Sequence, residues 1–391
     1  MRNRKQKCMM ACAAILAAIT VMSALPGGMS GGQTVEEQGN GTVTEVAMDY
    51  AAQENVLPVT LLDMTNLDTQ QQSSAQLTTP QGNMYRSELT NEWIDVSLKN
   101  QRPVAIMVDN EKAALPHYGL TEADVVYEMM NSTANGRITR LMAIVKDWGK
   151  ITRFGNIRST RPTNFMLAAE WNAILVHDGG PFYINDWAAK PYSNNLSAGF
   201  KRINNGKKRE YTEYVTTGEI ANRINAAGIS KDYNAYYAGP HFTFSDAEYD
   251  LAIYPEAMPC TQIDLSQAFP HNQSKLIYNA ATNTYDYYEY GSAHKDPQHN
   301  NAQLTFKNLI IQDTTFSQLD KNGYMIYNAI DVGRSGYYIT DGKMIPIVWA
   351  KTGESTPTIY VRLTGEPLVL NTGKTYIALV PSDSWQNVVI K

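Results

Sequence analysis

Cysteine is nearly absent from this 391-residue sequence, which holds only Cys8, Cys12 and Cys260. The first two fall inside an uncharged N-terminal run, so the rest of the chain has one thiol and no disulfide framework. The fold must then rest on a hydrophobic core, and the chain is long enough for two domains. An excess of basic residues is lacking too: 33 Lys and Arg stand against 38 Asp and Glu, a net charge of −5. That balance excludes a general nucleic-acid binder, and no nucleic-acid partner is expected. No G-x-S-x-G elbow, P-loop or H-E-x-x-H pair occurs, and no cofactor is expected. Histidine is sparse. His294 and His299 flank Asp296, but Lys295 between them would repel a cation, so a polar turn is expected there and no metal. Cys260 follows Pro259 with no histidine partner in the sequence nearby and reads as an inert thiol.

What is present begins with an address. Arg2, Arg4, Lys5 and Lys7 precede residues 8–25, a run without charge. A positive head before a short apolar stretch marks residues 1–25 as a secretory signal peptide, or as a membrane anchor if uncleaved. No cysteine follows the run directly, so a lipid anchor is not expected. Residues 26–97 are rich in Gly, Gln, Thr and Ser, and TQQQSSAQLTTPQG (69–82) is of low complexity. Such a composition buries too little apolar surface to offset the entropy of ordering, and predicts a disordered polar linker.

Residues 98–241 read as an α/β domain, a sheet covered by helices. RPVAIMVDN (102–110), VVYEMM (125–130), RITRLMAIV (137–145) and AILVH (173–177) predict strands, the first buried on both faces. Pro162 opens a predicted helix, PTNFMLAAEWN. A second helix is expected from Thr216, with Glu219 at capping-box spacing, to near Gly228. Residues 242–391 change pattern to short aromatic and β-branched runs separated by Asn-Gly, Asp-Gly and Thr-Gly turns. They predict a mainly antiparallel β domain, a sheet or barrel-like, and hence a mixed α and β protein overall. The basic stretch KRINNGKKR (201–209) reads as a solvated loop, with a docking site for anionic polymer or lipid as the alternative.

The chemistry-bearing stretch runs from 137 to 180. Arg137 and Arg140 lie three apart on a predicted strand and so face opposite sides. Arg158, Ser159 and Arg161 directly precede the helix at Pro162, where unpaired N–H groups and the helix dipole favour an anion. Guanidiniums there would add bidentate recognition of phosphate or carboxylate. His177 ends a strand before Asp178-Gly179-Gly180, and Asp109 ends another, where ligands gather in α/β sheets. Structural alternatives stand beside this: arginines pairing with Asp109 or Glu128, and a histidine bonded only to backbone.

RPVAIMVDN, GLTEADVVYE, RITRLMAIV, IRSTRP and AILVHDGG, then HKDPQHNNAQLTFKNLIIQ, GRSGYYITDGKMIPIVWAKT and LNTGKTYIALVP, occur in that order. Over about residues 98–385 the chain resembles the DUF3048 family, the YerB-like proteins named as lipoproteins in Gram-positive bacteria. The resemblance implies an envelope location and a two-domain plan, but no reaction. By motif it points to Asp109-Asn110, Tyr127-Glu128, Thr139-Arg140, Arg158-Ser159 with Arg161, and His177. The sequence departs at Asn135-Gly136-Arg137, where the family has an acidic residue before two glycines, which removes a carboxylate from that turn. It departs again at Asn156-Ile157, where a proline is usual, and in lacking the lipidation cysteine.

These readings converge on an exported envelope protein that binds an anionic ligand through Arg158 and Arg161, with Ser159, Arg140, His177, Asp109, Asn110 and Glu128 around them. Candidate ligands are wall polymer, lipid-linked phosphate and peptidoglycan carboxylates. One alternative is a wall hydrolase or transferase with His177 as base and Asp109 as its partner. The other is a non-catalytic scaffold for wall-synthesis proteins.

Overall fold

A computed structural model describes residues 82–391; the predicted signal or anchor and most of the predicted linker lie outside the described residues. The end of the stretch read as linker is folded. Met84–Arg86 and Trp93–Asp95 pair as a hairpin, and Leu89 between them is buried in the core. Composition missed this because two or three well-placed apolar residues suffice when the rest of the protein supplies the packing surface.

Eleven strands form one mixed sheet. They are β1 (Val104–Asp109), β2 (Val125–Met130), β3 (Thr139–Val145), β4 (Ile174–His177), β5 (Asn195–Ser197), β6 (Met258–Pro259), β7 (Asn308–Thr314), β8 (Asp331–Thr340), β9 (Lys343–Lys351), β10 (Ile359–Arg362) and β11 (Thr375–Pro381). Their spatial order is β6-β9-β8-β7-β11-β2-β3-β1-β4-β5, with β10 pairing farther along the edge of β9 that β6 also occupies. The antiparallel pattern expected of the later strands holds for β7 through β10 but not for β11, which lies parallel to both β7 and β2. Through β11 the sheet runs without a break from the first half of the chain into the second. The β8–β9 hairpin turns at Asp341-Gly342, both at positive φ, as a two-residue turn matching strand twist requires.

Side-chain alternation gives the sheet two covered faces. Val104, Ile106, Val108, Val126, Leu141 and Ala143 pack with a smaller antiparallel sheet that supplies Ile263, Leu276, Tyr285 and Phe306. Ala105, Met107, Tyr127, Met142 and Ile144 pack on the other side with helix α1 (Pro162–Glu170). Burial on both faces is why these strands read as continuous apolar runs. All nine residues of α1 are buried, with Pro162 at its first position. After the single turn α2 (Asn185–Ala188), helix α3 spans Glu219–Ala226 and not Thr216 onward. Thr216 instead ends a strand, and Gly218 takes the cap position with φ 72°. The predicted Thr216–Glu219 contact does form: Thr216 N and Oγ1 donate to Glu219 Oε2 at 3.1 and 3.0 Å.

Candidate functional site

Asp109 at the end of β1 lies directly opposite Arg140 at the start of β3, so their side chains share a face, that of α1. Arg140 approaches Asp109 Oδ1 at 3.6 Å and donates to the carbonyl of Ser159 at 2.7 Å. Arg158 Nε lies 3.0 Å from Asp109 Oδ2, and its other end pairs with Glu210 at 2.8 Å. Arg161 donates to the carbonyls of Thr160 (2.8 Å) and Asn131 (3.3 Å) and lies over the Tyr324 ring, 4.9 Å from its centre. Among the described residues it has no acidic partner. Burial, then the neighbouring Arg140, lowers its pKa to about 9; burial likewise takes Arg140 to about 10. Three guanidiniums therefore crowd together, and two carboxylates serve only two of them.

Arg137 belongs elsewhere. It sits in a turn before β3, not on the strand, and makes a double contact with Asp383 at 2.7 Å. The start of α1 is more closed than a helix N-terminus read from sequence suggests. Asn164 Oδ1 accepts from Arg161 N, and Thr163 Oγ1 accepts from Tyr327 N. The cavity between Arg140, Arg161, Asn131 and Tyr327 is about 10 Å³, room for one water at most. An anion would have to meet Arg161 and Arg158 from their outer, partly exposed sides.

His177 does not face the arginines. It is 2 % exposed, with Nδ1 2.8 Å from Gly179 O and Nε2 3.2 Å from Asn195 Oδ1. Burial lowers its pKa, so it is a neutral imidazole that donates from Nδ1. Because Gly179 O also accepts from Thr160 N, the histidine fastens the Asp178–Gly180 turn to the segment carrying the arginines. The predicted pairing of His177 with Asp109 as base and partner is absent.

Glu128 and Asn110 are on the opposite face. Glu128 is paired in register with Leu141, not Arg140, and accepts from Thr139, Ser274, Tyr287 and Tyr376 hydroxyls at 2.6–3.0 Å. Burial raises its pKa against the effect of these bonds. Four donors from both halves make it a structural hub. Asn110 donates to Thr139 Oγ1 and its carbonyl receives Asn272 and Tyr290. Of the predicted residues, Asp109, Arg140, Arg158, Ser159 and Arg161 come together; His177 supports them from behind; Asn110 and Glu128 do not join them.

Sequence reasoning missed a second cluster on this opposite face. His117, Glu289 and His294 are buried side by side, and His117 Nε2 lies 2.6 Å from the carbonyl of Asp109. Residues so far apart in the chain carry no spacing signal. The HKD run contributes only His294: Asp296 instead caps Gly119 N and Thr121 N, and His299 meets Glu122. Cys260 is buried, which pushes its thiol up to about 12. A surface cleft of about 350 Å³ among Glu248, Thr284, Lys307 and Lys374 collects neither cluster.

The model for the family described as "Protein of unknown function (DUF3048) N-terminal domain" matches residues 89–230, and its C-terminal companion matches residues 265–377. A curated Bacillus subtilis (strain 168) protein named "Putative lipoprotein YerB" is 35% identical over 94 residues, which is 24% of this chain and 27% of that protein. The crystal structure of YerB protein from Bacillus subtilis superposes with a TM-score of 0.65 at 21% identity, over 78% of this chain and 99% of that one. That likeness establishes a shared fold.

Proposed function

Since the chain belongs to the DUF3048 family, whose members have no assigned activity, we propose that it is an exported envelope protein that binds an anionic ligand at Arg158 and Arg161. The observation that carries this is Arg161: a largely buried guanidinium, crowded by Arg140 and Arg158, with no carboxylate of its own among the described residues. Burying a cation is costly unless it is paired, and an arriving phosphate or carboxylate supplies the pair. The surroundings suit a wall polymer or lipid-linked phosphate. Tyr324 faces Arg161, Tyr183 meets Tyr324 edge-on, and Phe182 beside it is 72 % exposed, so apolar ring surface adjoins the charge. Export is supported by the basic, then apolar, first 25 residues and by the lipoprotein name of the relative.

The hydrolase alternative needed His177 within reach of a carboxylate, and its contacts are a carbonyl and an amide. Binding of glycerol-phosphate polymer, undecaprenyl pyrophosphate and peptidoglycan fragments to the protein and to Arg158→Ala/Arg161→Ala tests the reading. A fall of about tenfold or more is expected for one of these probes. Equal affinities for all three would end it.

A further inference from the structure

On the face of the sheet turned away from the arginines, three buried side chains confront one another with lone pairs. His117, Glu289 and His294 each offer a donor atom within 4.8 Å of the other two. The tautomers follow from the neighbours. His117 Nε2 faces the carbonyl of Asp109, which only accepts, so that nitrogen carries the proton and Nδ1 is bare. His294 Nδ1 lies 2.7 Å from Glu289 Oε1, so one proton is shared between imidazole and carboxylate and Nδ1 is the nitrogen that faces Glu289. His117 Nδ1, His294 Nε2 and Glu289 Oε2 are all shielded and find no hydrogen-bond partner among the described residues. The Asn110 side chain adjoins Glu289 but leaves His117 Nδ1 without a donor. An unsatisfied acceptor in a dry interior is costly, and a cation entering beside His117 Nδ1 and the Glu289 carboxylate, in place of the proton shared with His294 Nδ1, meets a lone pair from each residue.

We propose that His117, Glu289 and His294 bind a divalent transition ion of the zinc type, with one coordination position open to the neighbouring cavity. Two imidazoles and a carboxylate are a donor set that zinc accepts, and three protein ligands leave the fourth position free. The carbonyl of Asp109 holds the His117 ring as outer partners of metal-bound histidines do. Tetrahedral ligation brings donor atoms to roughly 3.3 Å of one another, so the 4.8 Å spread closes by modest side-chain rotation. The cavity, about 270 Å³, touches Glu289 and His294 and is walled by Leu115, Pro116, Ser292, Ala293 and Lys295. The open position takes an oxygen donor, either water or the carboxylate or phosphate of a ligand reaching through the cavity.

The full chain, stripped by a chelator, is titrated with Zn²⁺ and, for its spectrum, with Co²⁺. One equivalent binds, Zn²⁺ raises the unfolding temperature, and Co²⁺ gives the intense visible absorption of a low-coordinate site. His117→Ala and His294→Ala each weaken Zn²⁺ binding at least ~10-fold, whereas His271→Ala and His299→Ala, outside the trio, leave it unchanged. Zn²⁺ binding no tighter in the wild type than in His117→Ala/His294→Ala overturns the proposal. If those variants do not fold, the wild-type Co²⁺ spectrum decides: the weak absorption of a six-coordinate aquo ion overturns it equally.

Discussion

Asp109 touches His117 through its carbonyl oxygen, 2.6 Å from Nε2, and touches Arg158 through its carboxylate, 3.0 Å from Nε. One residue thus serves both faces of the sheet, by different atoms. Asp109→Asn keeps the carbonyl and removes the charge that two guanidiniums share. Stability should fall by about 3 kcal/mol, because breaking a buried pair leaves uncompensated charge. Affinity for an anion at the arginines should rise, since the same charge repelled it. Urea unfolding and ligand titration of one variant read both effects. Weaker anion binding by a folded Asp109→Asn would contradict this account.

Lys351 and Glu170 form an ion pair at 3.1 Å with both side chains fully shielded. Glu170 also receives Tyr127, Thr358 N and Thr358 Oγ1. Lys351→Met should cost about 3–5 kcal/mol, and Glu170→Gln/Lys351→Met clearly less than that single change. Denaturant midpoints of the two variants measure the difference.

The same pair makes a pH prediction. Burial opposes the charge on Glu170, but Lys351 and His241 outweigh it and hold the carboxyl below its ordinary range. A depressed folded pKa gives stability that is complete above the unfolded value, about 4.3, and is lost as pH falls below it. Lys351→Met lacks that contribution, so its stability deficit against the wild type should be largest at neutral pH and shrink as pH falls below about 4. Circular dichroism between pH 7 and 2 checks it.

Asp124 has the opposite sign. Burial raises its pKa to about 7, against the Lys146 N–H bond at 2.7 Å and the charge of Lys374. A raised folded value means that stability is lost as pH climbs from about 4 to about 7. Asp124→Asn keeps an acceptor for Lys146 N and cannot ionise. It should gain about 1–2 kcal/mol over the wild type at pH 8, discounted for the part of Asp124 that meets solvent, and nothing at pH 4. A gain independent of pH would refute this cause.

Gly180 packs where no side chain fits. A Cβ there would lie 2.6 Å from Ile184 Cδ1 and 3.0 Å from Thr160 O. Gly180→Ala should cost about 1–3 kcal/mol by displacing the turn that His177 holds. The turn accepts a bond from Thr160, next to Arg161, so anion binding should weaken with it.

The strands and the first helix were legible because both faces of the sheet are buried, which writes each strand as an unbroken apolar run with turns at its ends. The arginines were legible for the same local reason, since Arg158 and Arg161 directly precede the proline that starts α1. Strand register was not. Asp109 and Arg140 lie at strand ends and Glu128 inside its strand, and pairing sets Arg140 opposite Asp109 and gives Glu128 to the other face. Sequence order holds no record of that pairing. The histidine cluster was hidden for a related reason: Lys295, which argued against an ion, is exposed while His294 and Asp296 on either side are buried.

The place of β11 bears on how such a protein is made. It forms the middle of the sheet, parallel to β2 on one side and to β7 on the other, yet it follows both of them in the chain. Until residue 381 has emerged, β2 and β7 each lack their inner neighbour, and the first half has no finished sheet to collapse upon. A strand added at the edge would leave a finished sheet without it; at the centre, its two neighbours are joined only through it.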